Sequence, residues 1–447
     1  MRNTIGLFAA FVLLAACSSS SSGNNADAGG GGGGGGDDGG TPTNEGGTTN
    51  PDGGGGGTFA WHAITLPDDL DATDNAGERV TGVVCTAVDK CIVTTNPFGE
   101  AGHVYATDGK VLLNGNAPLI TGDGTYADQF HTAGSVEFLG AEIVGTRVIL
   151  RLEGAENAFV SATGDITAPA SWTSTTLGTS GTADTNFGLN AQFGIGTNGT
   201  KWAFIGNGRV WEATTATPAP ATSWMDIFSP NATPPIPSDI DTQRTADPTL
   251  CNTDPSVSFQ PTPDQNLYFA PDLSLIVTPA SAVNQFGDDT AGVCISLDGG
   301  HTFHHSAFAG LNDGQGPTGI NCSSKDHCVA YGGTQSNDGS AVVYMTNNAS
   351  AGKDSTWAKA TIPTTPNDSG FRDVAFAPDG MHGWLVGSSS SNGSLMYTTT
   401  DGGATWTDST ADVKTLAKDN RLHSVYVYDA THVYIGGEQG VLLASGS

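Results

Sequence analysis

Two stretches of this chain follow one pattern: Ser296-Leu297-Asp298-Gly299-Gly300-His301-Thr302-Phe303 and Thr399-Thr400-Asp401-Gly402-Gly403-Ala404-Thr405-Trp406. Both fit the pattern Ser/Thr-x-Asp-x-Gly-x-Thr-aromatic, which we call the Asp box. Such a stretch favours a hairpin turn, because the carboxylate accepts backbone N–H groups and the glycines tolerate positive φ. We assign a structural role, not a catalytic one, to the box positions Ser296, Asp298, Gly300, Thr302, Phe303, Thr399, Asp401, Gly403, Thr405 and Trp406.

The second Asp box ends a longer repeat of short strands. Residues 371–406 hold the apolar segment Val374-Ala375-Phe376, the strand Gly383-Trp384-Leu385-Val386-Gly387, the strand Leu395-Met396-Tyr397 and then the box. Degenerate copies of this unit end at Trp172, Trp224 and Trp357. Four-strand units of this length are typical of propeller blades, so the sequence predicts an all-β fold.

The last copy of the repeat has three strands, between residues 425 and 443, before the chain stops. A segment opened by Trp61, residues 58–64, supplies the missing outer strand in our interpretation. Pairing the two ends would remove the open sheet edges. We predict a seven-bladed β-propeller of four-stranded blades, closed by its N- and C-terminal strands, with six or eight blades as alternatives. The other six blades are expected near residues 78–120, 131–177, 186–229, 255–308, 317–362 and 370–410.

The N-terminal residues resemble a bacterial lipoprotein leader. An apolar stretch follows Arg2 and ends in Leu14-Ala15-Ala16-Cys17, which resembles a lipobox with Cys17 as the lipidated residue; an ordinary cleaved signal is the alternative. Residues 18–57 contain 18 glycines and no aromatic residue, a composition typical of a disordered tether. The predicted organisation is a signal peptide at 1–16, a lipidated tether at 17–57 and a propeller at 58–447. We expect the protein in the cell envelope, at the outer membrane or cell surface.

Acidic residues dominate the composition. The chain has 45 Asp and Glu against 16 Lys and Arg, a formal net charge of −29. This charge argues against nucleic acid as a partner and against electrostatic adhesion to anionic lipid. We therefore expect membrane contact through the lipid anchor only.

Six cysteines remain beside Cys17. Cys85 and Cys91 flank a short polar turn, as do Cys322 and Cys328, and residues facing each other across a hairpin are close enough for a disulfide. By elimination, Cys251 could bridge Cys294, and an exported chain with an even remainder favours three disulfides. Metal binding through Cys-x5-Cys is the alternative, which spacing and compartment disfavour.

With its Asp boxes, its Gly-Trp-x-Val-Gly strand and its Trp-opened outer strands, the segment 58–447 resembles the BNR/Asp-box propellers, and most of all the photosystem II assembly-factor (Ycf48) type. Known relatives include assembly factors, sialidases and xyloglucan-type glycosidases, so the fold leaves function open. We favour a binding or assembly module without catalysis. The alternative is a cell-surface glycoside hydrolase of the sialidase class, although the sequence lacks the Phe/Tyr-Arg-Ile-Pro motif of sialidases.

Three arginines stand where innermost strands begin. Arg79 and Arg421 precede Val83 and Val425 by four residues, and Arg372 precedes its equivalent valine by two. Even offsets would put the three on one face, near the channel mouth and opposite the Asp boxes. Guanidinium groups suit carboxylate or phosphate, so the expected ligand at this channel face is a protein partner or an acidic or glycan ligand. The alternative is that these arginines cap carbonyl groups at the strand entries or pair with local acids such as Glu78 and Asp373.

No metal or cofactor site is predicted. His301, His304 and His305 follow the first Asp box, but adjacent strand residues point to opposite faces, so at most two of them converge. The sequence also lacks the usual zinc-protease, serine-hydrolase and phosphate-loop motifs. We therefore assign no catalytic residue.

Overall fold

The computed structural model describes residues between 59 and 446, with gaps. The described ranges are 59–67, 79–96, 102–121, 137–153, 158–176, 194–206, 209–213, 224–226, 267–270, 272–280, 291–311, 315–334, 341–366, 369–390 and 393–446. Within them lie 28 strands, one α-helix and three 3-10 helices. The predicted all-β class is confirmed. No described helix has the length and apolar character needed to cross a membrane.

The strands form antiparallel four-strand units that follow the chain order. The first three units contain β2 (Arg79–Ala87), β3 (Lys90–Asn96), β4 (His103–Thr107) and β5 (Ile120–Thr121); β6 (Glu137–Val144), β7 (Arg147–Glu153), β8 (Ala158–Thr163) and β9 (Trp172–Thr176); and β10 (Gly194–Thr197), β11 (Trp202–Gly206), β12 (Arg209–Ala213) and β13 (Trp224–Asp226).

Three further units follow the same order. They contain β14 (Tyr268–Phe269), β15 (Ile276–Ala280), β16 (Gly292–Ser296) and β17 (His304–Ala307); β18 (Gln315–Cys322), β19 (Cys328–Thr334), β20 (Val342–Thr346) and β21 (Ala358–Lys359); and β22 (Ser369–Phe376), β23 (Gly383–Ser389), β24 (Gly393–Thr399) and β25 (Thr407–Asp408). The last two of these units are linked where Gly333 pairs with Gly370. A side chain at Gly333 would meet the Ser369 carbonyl oxygen at 2.6 Å, so glycine permits this close backbone approach.

The first and the last strands of the described residues share one sheet. It contains β26 (Leu422–Val427), β27 (Val433–Gly437), β28 (Leu442–Ala444) and the N-terminal β1 (His62–Ala63). The N-terminal strand is shorter than the predicted 58–64 segment, but the Ile64 amide also donates to the Leu442 carbonyl. Phe59 reaches the neighbouring unit, where its ring meets that of Trp384 edge to face.

Apolar side chains pack between adjacent units. One core joins the last unit to the first: Ile64, Val80, Val93, Tyr434 and Leu442 are all at most 2% exposed. Another joins the last unit to the one before it, and it includes Val413 and Ala417 of the short helix α1 (Thr410–Ala417), which the sequence did not predict. The first strands also contact one another in order around the molecule: β2 with β6, then β10, β14, β18, β22 and β26, and β26 with β2.

Both Asp boxes form the predicted turns. Asp401 accepts hydrogen bonds from the Thr399 and Thr405 hydroxyls and from the Thr405 amide, at 2.8, 2.6 and 2.9 Å. Asp298 makes the same three contacts with Ser296 and Thr302. These aspartates are therefore used within their own turns.

Disulfides join Cys85 to Cys91 and Cys322 to Cys328. In each hairpin the two cysteines pair directly across the strands. Cys294 is also disulfide-bonded, whereas Cys251, its predicted partner, lies outside the described residues. The proposed lipidation residue Cys17 and the tether lie outside them as well.

Candidate functional site

The two ends of each unit differ in chemistry. In the sixth unit, Phe376, Gly383 and Thr399 are neighbours across three adjacent strands at the Asp-box end. At the other end of the same strands the neighbours are Ser369, Ser389 and Gly393. We call this other end, where the first strands begin, the entry face. Arg79 opens β2 and Arg421 directly precedes β26, so both arginines lie at the entry face, opposite the Asp boxes.

A β-bulge at the start of several first strands changes the predicted geometry of the arginines. The bulged residues are Thr81 in β2, Arg372 in β22 and His423 in β26. Arg79 and Val83 pair with residues 96 and 93, three ladder steps apart, although they are four apart in sequence. Even spacing therefore does not place Arg79 on the predicted face, because the inserted residue reverses the alternation between Arg79 and Val83.

Side-chain contacts, rather than spacing, bring two of the arginines together. The Arg79 Nη2 atom lies 2.8 Å from the Nδ1 atom of His423 in the neighbouring first strand. The Nε2 atom of the same imidazole lies 3.2 Å from Glu438 Oε1, and the His423 side chain is only 5% exposed. Arg421 Nη1 lies 3.8 Å from that carboxylate oxygen, and its side chain is 51% exposed. We call Arg79, Arg421, His423 and Glu438 the arginine cluster.

The groups around Glu438, the carboxylate of the cluster, lower its pKa. The hydrogen bond from His423 lowers the pKa of Glu438 and outweighs burial, which would raise it; the charges of Arg421 and Arg79 lower the pKa further. Glu438 therefore stays ionised, accepts the hydrogen bond from His423 and lies within ion-pair distance of Arg421. Half of the Arg421 side chain remains open to solvent, where it can meet a ligand.

Arg372 is the bulged residue of β22, the strand that packs beside β26. Its neighbour Asp373 connects these strands: Asp373 Oδ2 accepts a hydrogen bond from the Val425 amide at 2.9 Å. Tyr331 donates weakly to Asp373 Oδ1, at 3.4 Å. Asp373 thus ties the first strands together. Glu78, the other predicted local acid, lies outside the described residues.

The opposite face is lined by aspartates that cap turns. Burial would raise the pKa of Asp298, but hydrogen bonds from Thr302 and Ser296 lower it overall. Burial would likewise raise the pKa of Asp429, yet hydrogen bonds from Thr431 and His432 lower it to about 2. These carboxylates are ionised and engaged within their own turns, which they stabilise.

The histidines after the first Asp box take different roles. His301 Nε2 lies 3.2 Å from Glu212 Oε1 of the preceding unit, and Lys201 contacts the same carboxylate. His304 begins β17, and its neighbour His305 faces Cys294 in the ladder. In the part of the chain that the structure describes, no three His, Cys, Asp or Glu side chains form a group suited to a metal ion.

Sequence reasoning missed His423 and Glu438. The available signal was positional, because His423 stands two residues before Val425, as Thr81 stands two before Val83 and Arg372 two before Val374. An alignment of the first strands at that position would have singled out a histidine among these residues.

Comparisons with known proteins agree with the fold. Residues 349–447 match the family model described as photosynthesis system II assembly factor YCF48. The structure is similar to YCF48 from Cyanidioschyzon merolae, with 13% identity and a TM-score of 0.52 over 86% of this chain and 98% of that one. A structure of YCF48 bound to D1 peptide matches with 12% identity and a TM-score of 0.52 over 87% of this chain and 97% of that one. The chain thus has the fold of a YCF48-like BNR β-propeller, and its C-terminal part carries the YCF48-type repeat.

A xyloglucanase from Xanthomonas campestris is also similar, with 12% identity over 86% of this chain and 53% of that one. Its TM-score of 0.49 is too low to support an argument. No curated protein shows significant similarity to the chain.

Proposed function

We propose that this YCF48-like propeller is a binding module that holds an acidic segment of another protein at its entry face, through Arg79, Arg372 and Arg421. The observation that carries this proposal is the convergence of Arg79 and Arg421 on His423 and Glu438. Arginine forks bind carboxylates with two parallel hydrogen bonds, and an exposed guanidinium adds long-range attraction. The solved complex of YCF48 with a D1 peptide supports a peptide as the class of ligand.

The proposed architecture is a ring of seven blades closed by β1. The sequence of contacts among first strands supports this ring, as does the pairing of His62 with Ala444 and of Ala63 with Leu443. Closure matters for binding because β2 and β26 come from opposite ends of the chain. Without it, Arg79 would not stand beside His423.

A capture experiment with charge-matched variants tests the proposal. The full chain and the variant R79A/R372A/R421A are used to capture proteins from an envelope extract of the cells that produce the protein. The control K90A/K325A/K353A removes the same charge from exposed lysines in turns of the opposite face, which are 47–49% exposed. We expect the lysine variant to retain the captured partner and the arginine variant to lose it.

Equal retention by both variants would contradict the proposal, and so would hydrolysis of any member of a glycan and sialoside panel by the full chain. Because entry-face contacts are exposed, capture should also weaken as salt is raised from 0.05 to 0.5 M, where the Debye length falls to a few ångströms.

We also propose export and lipid anchoring at Cys17, with the propeller held at the outer membrane or cell surface by the glycine-rich segment. The proposal rests on Leu14-Ala15-Ala16-Cys17 and on the composition of residues 18–57. Metabolic labelling with an alkyne fatty acid should mark the full chain and not its C17A variant. Equal labelling of both would contradict the anchor.

A further inference from the structure

The Arg79–His423 contact fixes the protonation state of the imidazole. A guanidinium can only donate hydrogen bonds, so the Nδ1 atom that lies 2.8 Å from Arg79 Nη2 must accept and carries no proton. The Nε2 atom then carries the single N–H, which points to Glu438 Oε1 at 3.2 Å. The cluster as it stands therefore requires the neutral Nε2–H tautomer of His423.

Two other bulged residues, Thr81 of β2 and Thr318 of β18, make a different contact at the equivalent position. Thr81 donates to the Phe138 carbonyl of the next first strand at 2.6 Å, and Thr318 reaches the Phe371 carbonyl of its neighbour at 3.4 Å. Both threonines bind backbone, which cannot move away. His423 instead contacts the side chain of Arg79. The hydrogen bond between them can therefore break without a change in the positions of β26 and β2.

Protonation of His423 would break this bond. A proton on Nδ1 would place an N–H group and a positive charge directly against the guanidinium of Arg79, which has no acceptor to offer. The bond to Glu438 would persist and strengthen, because an imidazolium bound to a carboxylate is charge-assisted. The imidazolium would therefore stay with Glu438 and displace Arg79.

The surroundings of His423 contain few other ionisable groups among the described residues. From β2 the facing group is Arg79, and after β27 it is Glu438. From β22 they are Arg372 and Asp373, whose carboxylate accepts the Val425 amide.

The remaining groups near β26 keep their charge in the pH range of interest. Arg421 stands two residues before His423 and remains cationic. Tyr434 of β27 stays neutral because desolvation raises its pKa to about 12, and burial also raises the pKa of Tyr426.

We infer that His423 is a proton-controlled gate on Arg79: when the imidazole takes up a proton, it releases the guanidinium to an anionic ligand and adds a positive charge to the entry face. This inference rests on the proposed function for the ligand, while the release of Arg79 stands on the contact geometry alone. Binding of an acidic ligand and proton uptake at His423 favour each other, because each strengthens the other by the same factor.

The charge gained on protonation of His423 sets the direction and size of the change in ligand affinity. One added positive charge a few ångströms from a ligand carboxylate, in a partly solvated site, should tighten binding by about threefold to tenfold. Affinity should therefore rise as the pH falls from 8.0 to 5.5. The carboxylates of the ligand stay largely ionised over this range.

Nitrogen-15 NMR of histidine- and arginine-labelled full chain tests the gate without a ligand. At pH 8.0 we expect His423 Nδ1 to be unprotonated and Nε2 protonated. On acidification the Arg79 Nε–H signal should shift with the same midpoint as His423. The variant H423T, which installs the threonine of the equivalent bulges, should fold and should lose that shift. A proton on Nδ1 at pH 8.0, or an Arg79 signal indifferent to the titration of His423, would overturn the gate.

Calorimetry with an acetylated hexaglutamate peptide tests the coupling to a ligand. Wild type should bind about threefold to tenfold more tightly at pH 5.5 than at pH 8.0, and H423T should bind equally at both. Equal pH dependence in both proteins would overturn the coupling. Failure of the peptide to bind at either pH would count against the proposed function, and the NMR titration would still decide the gate.

Discussion

Replacement of Asp401 measures how much an Asp box contributes to stability. Its carboxylate accepts three hydrogen bonds, from two hydroxyls and one amide, at 2.6 to 2.9 Å. Each intramolecular hydrogen bond contributes about 0.5 to 1.5 kcal/mol, and more when one partner is charged. We therefore expect D401A to lower the free energy of unfolding by about 2 to 4 kcal/mol.

The chain itself contains a neutral version of the box. Asn348 Oδ1 accepts from the Thr346 hydroxyl at 2.8 Å and from the Thr356 amide and hydroxyl at 2.9 and 3.2 Å. An amide oxygen can therefore accept the same three hydrogen bonds as the carboxylate. D401N should cost only about 1 kcal/mol, since it loses the negative charge while an amide oxygen can still accept these hydrogen bonds.

Urea unfolding of the full chain, followed by tryptophan fluorescence, gives these free energies from the midpoint and slope. The control D354A removes a carboxylate that is 74% exposed and pairs only on the surface with Lys353, and it should change stability by less than about 0.5 kcal/mol. If D401N were as damaging as D401A, or if D401A behaved like the control, the structural role assigned to the box would be refuted.

The pH dependence of the same variants has a definite sign. Burial would raise the pKa of Asp401, but hydrogen bonds from Thr405 and Thr399 lower it overall. A group whose pKa is lowered by folding contributes stability above its unfolded pKa, and that contribution disappears as the pH falls through the folded value. The stability difference between wild type and D401N should therefore shrink between pH 5 and pH 3.

Three further predictions concern the framework. C322A/C328A should lower the free energy of unfolding by about 2 kcal/mol, because the disulfide closes a short loop. The midpoint of urea unfolding measures this loss, and an unchanged midpoint would contradict the prediction. I64A should cost about 2 to 5 kcal/mol, since Ile64 is 2% exposed and packs where the chain ends meet; a cost below 0.5 kcal/mol would argue against closure. Y434F should cost about 1 kcal/mol by losing the hydroxyl bond to the Val88 carbonyl at 3.1 Å, and an absorbance titration should find Tyr434 un-ionised at pH 11, because its pKa is raised to about 12.

The repeat pattern predicted the fold because each unit carries local signals. Asp298 and Asp401 mark turns through their own side-chain chemistry, and the continuous apolar run Trp384-Leu385-Val386 marks a strand buried on both sides. The box at Asn348 was harder to recognise, since a 3-10 helix at Ala349–Asp354 separates it from Thr356. A turn can therefore be predicted from the sequence when all the residues that form it lie within a few positions of one another.

The arginine cluster could be predicted only in part. The sequence put Arg79 and Arg421 at strand entries, but the bulge at His423 depends on how β26 pairs with β27, which no local pattern reveals. The contact between Arg79 and His423 joins residues that are 344 positions apart. Glu438 enters the cluster through the turn after β27, and its role depends on these long-range contacts.

Site-specific photo-crosslinking tests most directly which face of the propeller binds a partner. A photoreactive residue replaces Gln439, which is exposed beside Glu438 at the entry face, or Met381, which is 48% exposed in a turn of the opposite face. We expect a protein to be crosslinked from position 439, this product to disappear in R79A/R372A/R421A, and position 381 to give none. A partner crosslinked from position 381 and not from position 439 would contradict this expectation.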